Sequence, residues 1–184
     1  MVHINNLKKY YFINEFNQNF LINLDKSISF IWRNKDKETS LTTLMKLRDF
    51  CKKNQRSFYI SNNVKLAKKI NADGVYISSS NNNLNLKGKN FKKGFKILGS
   101  AHNLKEIKVK ELQKIEEIFL SPLFKKKINP QLNIYRYLKL REITKMSDIS
   151  LGGIDENNLR KLNMIKPYGF AGISYFEKKK APNI

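Results

Sequence analysis

Eight short apolar runs punctuate the chain, and between most of them apolar residues recur at helical spacing. The runs are Tyr10–Asn14, Ser29–Trp32, Ser57–Ile60, Gly74–Ile77, Phe95–Leu98, Glu117–Leu120, Ile149–Leu151 and Gly169–Phe176. Runs this short and this apolar fit strands covered on both faces. The segments between them place Leu41, Leu44, Leu47 and Phe50, or Leu159, Leu162 and Ile165, on one side of a helix. Helices are also expected from Phe16 to Ile28 and from Asn129-Pro130 to Met146, the latter burying Leu132, Tyr135, Leu138 and Ile143. Strands alternating with helices over short connections pair in parallel. An open doubly wound sheet and a closed (β/α)8 barrel both satisfy that rule. Eight units, with polar residues after nearly every strand, favour the TIM barrel. Residues 177–184 are too few for a full closing helix, so the last helix is expected to be truncated or missing. No internal repeat or composition break divides the chain, and residues 1–184 read as a single domain.

Composition removes several function classes. No apolar run is long enough to span a bilayer, and the N-terminus lacks the apolar stretch of a signal peptide. One cysteine, Cys51, allows no internal disulfide and suits a reducing, cytoplasmic compartment. Two histidines and one cysteine cannot build an ordinary structural zinc site. The formal charge of +21 invites a nucleic-acid reading. Its excess is mostly lysine spread along the chain, accompanied by much asparagine and isoleucine, while arginine is scarce. That pattern fits a solvated basic surface that attracts anions, with no specific nucleic-acid partner and no membrane partner.

The stretch Ser147–Phe176 is the most suggestive of chemistry. It reads as strand, glycine turn at Gly152-Gly153, helix capped by Asp155, and a second strand with Ser174 near its end. Paired glycines let backbone N–H groups approach an anion, although they also serve in plain tight turns. In (β/α)8 barrels a phosphate cradle is common after the seventh and eighth strands. The other strand ends supply Arg33 and Lys35, Ser61 to Asn63, Ser78 to Asn81, Ser100 and His102, and Ser121 with the lysines at 125–127. This pool of cations, amides and hydroxyls has no carboxylate beyond Asp36 and Asp155, which suits a phosphate or pyrophosphate ligand. It does not suit a two-carboxylate hydrolase or a Ser-His-Asp enzyme. Arg33 and Lys35 alternate and can face one side. The asparagines also read as caps and turn residues, and His102 as a loop cap.

Several segments, in order and at matching spacing, resemble the thiamine-phosphate synthase family, which includes the thiazole tautomerases. I-W-R-N-K-D at Ile31–Asp36 resembles its Q-L-R-x-K-D, with the glutamine lost to Ile31. I-S-N-N-V-K-L-A at Ile60–Ala67 resembles I-N-D-R-V-D-L-A, and A-D-G-V-Y-I at Ala72–Ile77 resembles A-D-G-V-H-L. G-S-A-H-N-L-K-E at Gly99–Glu106, L-S-P-L-F at Leu120–Phe124, L-G-G-I at Leu151–Ile154 and G-F-A-G-I-S at Gly169–Ser174 resemble the later motifs. The resemblance covers about Tyr10 to Phe176 and implies a reaction. Hydroxymethylpyrimidine pyrophosphate would be joined to thiazole phosphate, giving thiamine phosphate and pyrophosphate. It further implies that Arg33 and Lys35 hold the pyrophosphate, with Asn62 beside it. Gly152, Gly153, Ile173 and Ser174 would hold the thiazole phosphate, and Ser100 and His102 would line the pocket between.

The chain departs from the family where magnesium is concerned. The two family aspartates correspond to Asn62 and Asn81, so a magnesium cofactor is doubtful. The family's P-T-x-T-K segment is replaced by residues 125–129, where Lys126 or Lys127 would take the part of its lysine. The tautomerase histidine corresponds to Pro122, which disfavours that branch. Two expectations follow: a divergent synthase, or a catalytically impaired member that binds a phosphorylated ligand or a partner. An incomplete cover near the eighth strand would also suit a homodimer.

Overall fold

The computed structural model describes residues 6–33, 39–86, 91–124 and 133–177. Its strands are β1 (Lys8–Ile13), β2 (Ile28–Trp32), β3 (Phe58–Ser61), β4 (Gly74–Ile77), β5 (Lys96–Ala101), β6 (Glu117–Leu120), β7 (Ser147–Leu151) and β8 (Gly169–Gly172). Each pairs in parallel with the next, and β8 returns to β1, so the sheet closes into a barrel. The helices are α1 (Gln18–Ile22), α2 (Leu41–Lys53), α3 (Val64–Lys69), α4 (Leu104–Leu112), α5 (Asn133–Ile143), α6 (Leu162–Ile165) and α7 (Ser174–Glu177). Among the described residues, no helix is long and apolar enough to cross a membrane.

Strand alternation divides the core in two. Tyr10, Phe12, Ile31, Tyr59, Tyr76, Leu98, Phe119, Ile149 and Ala171 fill the barrel interior. Their neighbours Tyr11, Phe30, Trp32, Phe58, Ile60, Val75 and Ile118 point outward into the layer shared with the helices. One residue's shift in register would exchange the two sets. The N-terminal mouth of the barrel is closed by Glu117, whose carboxylate accepts from Lys8 at 2.5 Å, Lys96 at 3.3 Å and the Tyr10 hydroxyl at 2.5 Å. That end is structural, and the polar strand ends lie at the other.

Several expected boundaries move, each for a visible reason. The helix expected from Phe16 to Ile28 stops at Ile22, and Ile28 opens β2. The Arg56 guanidinium donates to the carbonyls of Leu21, Leu24 and Asp25, satisfying the helix end that would otherwise run on. β5 runs through Gly99 to Ala101 instead of ending at Leu98. A Cβ on Gly99 would lie 3.0 Å from Ile115, so this glycine admits a close neighbour within the strand and marks no turn. α5 begins at Asn133, with residues 125–132 outside the described set. It buries Tyr137, while Tyr135 and Ile143 are exposed, because the Tyr137 hydroxyl donates to Asp148 at 2.8 Å and fixes the inward face. The strand expected through Phe176 ends at Gly172, and the chain turns into the single helical turn α7. Ser174 therefore opens a helix and does not end a strand. Among the described residues this turn is the helix that follows β8; residues 178–184, on which the expected truncation bears, lie outside the described set.

Candidate active site

The C-terminal ends of β2, β3 and β4 surround a cavity of about 650 Å³. Trp32, Leu44, Ile60 and Leu66 give it an apolar side; Arg33, Ser61, Asn62 and Ser78 to Ser80 give it a polar one. Arg33 follows β2, where its N–H donates to the Ile13 carbonyl at 2.8 Å. The alternation that turns Trp32 outward turns Arg33 over the interior, with its guanidinium 5.8 Å from the centre of the Phe12 ring. Phe12, Tyr76 and Phe119 pack edge to face below it, with Phe12 5.1 Å and Phe119 5.2 Å from Tyr76. Burial raises the Tyr76 pKa, while Ser100 and the Arg33 charge act on the same hydroxyl in the opposite sense. Arg33 and Ser100 thus both act on Tyr76, a buried member of this aromatic floor. A charge held above such a floor acts in a low effective dielectric.

Asn62 follows β3 in the left-handed region at φ 57°. Its Oδ1 accepts from the Ser78 N–H at 2.9 Å and from Asn81 Nδ2 at 3.4 Å, and its Nδ2 donates to Ser78 Oγ at 3.0 Å. The backbone N–H can only donate, which fixes the amide orientation. Asn81 Oδ1 accepts from the Asn83 N–H at 3.0 Å. The structure therefore brings the two degenerate magnesium positions together, but both amide oxygens already face N–H donors. As arranged, this pair does not fit a magnesium site. Among the described residues, no cluster of three or more His, Cys, Asp or Glu is placed to hold a metal.

His102 lies just beyond β5, and its backbone N–H and Nδ1 both meet Glu106 Oε2, at 2.7 and 2.9 Å. Glu106 is itself fixed by Asn103, the N-cap of α4, through two reciprocal bonds of 3.0 and 2.9 Å. Glu106 thus accepts from the His102 backbone and holds its ring, and the carboxylate-poor pool of strand-end residues gains Glu106. The capping-box spacing Asn103 to Glu106 was the signal that could have found it. The sequence reading also missed Tyr76 and Lys110. Tyr76 was legible only as a strand residue. Lys110 stands three residues after Ile107 on the inward stripe of α4, an unusual place for a lysine.

Gly152 and Gly153 follow β7 with φ of 98° and 69°. The Gly152 carbonyl accepts from the Phe124 N–H at 3.1 Å, and a Cβ on Gly153 would stand 2.8 Å from the Phe124 carbonyl oxygen. The glycines therefore have a packing reason of their own. Asp155 caps the turn that follows, accepting from the N–H groups of Asn157 and Asn158, and helix begins only at Leu159. Gly153→Ala is expected to lower stability by about 2 kcal/mol or more, from the left-handed backbone and the clash together. Thermal melting checks it. Gly153 variants consequently cannot isolate phosphate binding; Ser174→Ala, at an exposed side chain, can.

The cavity does not include Ser100, His102, Gly152, Gly153, Ile173 or Ser174. Arg33, Asn62 and Asn81 form one group on the β2–β4 arc, and the two glycines, Ile173 and Ser174 another on the β7–β8 arc of the same mouth. Ser100 and His102 stand at β5. Lys35, Lys126 and Lys127 lie outside the described residues.

The family profile of thiamine monophosphate synthase matches residues 22–176, from α1 to α7. The chain belongs to the thiamine monophosphate synthase family. A thiamine-phosphate synthase of Pelagibacter ubique is 28% identical over 170 residues, covering 88% of this chain and 81% of the relative. The thiamine phosphate pyrophosphorylase of Pyrococcus furiosus superposes with a TM-score of 0.72 at 19% identity, over 93% of this chain and 87% of that one. That of Bacteroides thetaiotaomicron gives 0.63 at 16% identity, over 97% and 88%. These two superpositions show the barrel fold.

Proposed function

We propose that this member of the thiamine monophosphate synthase family joins hydroxymethylpyrimidine pyrophosphate to thiazole phosphate. Family membership across most of the chain carries the reading. The placement of two groups of residues supports it: the reaction has two anionic ligand ends, and the barrel mouth offers one group on the β2–β4 arc and another on the β7–β8 arc. In this reading the pyrimidine C–O bond breaks, pyrophosphate departs with the electron pair, and the thiazole nitrogen captures the resulting cation. Arg33, with Lys35, holds the departing pyrophosphate, and Ser61, Asn62 and Ser78 bind its oxygens from the cavity wall. The apolar floor excludes water from the cation and strengthens the pull of Arg33 on the leaving group. Gly152, Gly153, Ile173 and Ser174 hold the thiazole phosphate. Ser100 and His102 line the space between, and Lys126 or Lys127 adds charge to the leaving pyrophosphate. Magnesium dependence is weak in this proposal, because Asn62 and Asn81 spend their oxygens on each other and on the loop.

A second reading has a specific observation behind it. Ile31, at the family's glutamine position, is fully buried in the barrel interior and offers no polar atom. Loss of that amide together with both carboxylates fits a member that binds a phosphorylated ligand without turning it over. Incubating the protein with both precursors, with and without magnesium, separates the readings. Formation of thiamine phosphate supports the synthase. Ligand binding without product supports the impaired homologue. A homodimer remains part of the proposal, since Met164 and Tyr168, close to β8, are 71% and 51% exposed; light scattering tests it.

A further inference from the structure

Lys110 is fully buried, yet it is a lysine on the inward face of α4. Its ammonium donates to the carbonyls of Ser78 at 2.9 Å and Asn81 at 2.8 Å, and to Gln113 Oε1 at 2.9 Å. A lysine has three N–H donors, and here all three are matched to oxygens. All three acceptors are neutral, and among the described residues no carboxylate lies within ion-pair distance of the nitrogen. Gln113 repeats the clamp, donating through Nε2 to the carbonyls of Asn81 at 2.7 Å and Asn83 at 2.9 Å.

A buried cation without a charged partner is costly, and an apolar side chain of similar volume would pack the same slot at less cost. What the lysine adds is a defined conformation for the segment 78–83. The other side of that segment faces Asn62. The Ser78 N–H and Asn81 Nδ2 both donate to Asn62 Oδ1, and Ser78 to Ser80 line the cavity. The ammonium is therefore joined to the cavity wall directly through Ser78, and through Asn81 by way of its bond to Asn62.

We propose that Lys110 is a positioning residue: by holding the carbonyls of Ser78 and Asn81 from behind, it fixes Ser78 and, through Asn81, Asn62 in the wall against which a pyrophosphate group sits. The identity of the ligand rests on the function proposed above; the positioning of the wall does not.

The test compares the full-length protein with Lys110→Met by amide hydrogen exchange, amide NMR and calorimetry with inorganic pyrophosphate. In the variant the Ser78 amide should lose about tenfold or more in protection, and the Asn62 side-chain amide signals should shift. Amides of β7 and β8 should keep their positions. Pyrophosphate affinity should fall about tenfold, as expected when a binding wall is no longer preorganised. A folded variant with Ser78 protection and pyrophosphate affinity within about twofold of the parent overturns the proposal. The unaltered protein gives an independent check. The Lys110 ammonium protons should exchange slowly and show contacts to Ser78 and Asn81, and their absence also overturns it, even where the variant fails to fold. A parent that binds no pyrophosphate, with a variant whose Ser78 amide is loosened, removes the ligand assigned under the proposed function and supports the positioning role of Lys110.

Discussion

Arg33→Met is expected to lower kcat/KM for thiamine phosphate formation by about a hundredfold or more, with little change in melting temperature. The guanidinium lies partly exposed above the Phe12 ring, and a methionine stem of similar length keeps that apolar contact. What is lost is the planar fork that grips pyrophosphate oxygens. Hydrogen bonds to charged groups contribute roughly 1.5–3 kcal/mol each, so two of them amount to about 3 kcal/mol or more. The loss should fall mainly on kcat, because charge on the leaving pyrophosphate grows as its bond breaks. Arg33→Lys keeps the charge and loses the fork, and should sit in between. Steady-state kinetics with both precursors checks this, and calorimetry with pyrophosphate checks it if turnover is absent. An Arg33→Met protein with parental kinetics would take this residue out of the site.

The barrel was legible because its determinants are local and repeated. Runs such as Gly74–Ile77 and Glu117–Leu120 coincide with β4 and β6, since their boundaries are set by abrupt changes from apolar to polar residues. Where boundaries moved, a distant residue decided. Arg56 shortens α1 from 31 to 35 positions away, and no pattern within the α1 segment announces it. Gly99 looked like punctuation because the sequence cannot show that Ile115 presses against it. Ser174 was placed on a strand because G-F-A-G-I-S-Y-F has no polar break, whereas the barrel closes after Gly172.

The site was legible to the extent that it follows strand ends. Arg33, Asn62, Ser100 and Gly152 were expected at one mouth because a parallel barrel gathers strand-end positions there, and the structure places all four at or next to the ends of β2, β3, β5 and β7. The pairing of Asn62 with Asn81 followed from the family resemblance, since 19 residues separate them in the chain. Lys110 and Gln113 escaped notice because they lie under the site, on a helix, where a lysine reads as solvated surface. Glu106 drew no reading of its own in the sequence, and only the folded chain shows His102 hydrogen-bonded to it through Nδ1.

The double substitution Asn62→Asp with Asn81→Asp is expected to convert this arc into a magnesium site and to give the protein a stabilising response to the ion that the natural chain lacks. Asn81 Nδ2 now donates to Asn62 Oδ1 at 3.4 Å, so two carboxylates placed there would face each other without a shared proton. At that range two like charges near a protein surface repel by about 4 kcal/mol before screening and relaxation. The double variant should therefore melt below the parent in the absence of divalent ions, although the Ser78 N–H still has a carboxylate oxygen to donate to. Magnesium relieves the repulsion by binding between the carboxylates. At about a hundred times its dissociation constant an ion bound only to the folded state adds about 2.7 kcal/mol. For a chain of this size that is a rise of roughly 5–10 °C in melting temperature. The natural protein should show almost none, because its amide oxygens already serve N–H donors and carry no charge. The rate should follow the same division: magnesium-dependent product formation in the double variant, and slower, nearly magnesium-independent turnover in the natural protein. A natural protein whose melting temperature climbs with magnesium as steeply as the variant's would refute this reading of the asparagines. A variant that binds magnesium and still makes no product would place the lesion elsewhere, with Ile31 the first residue to restore.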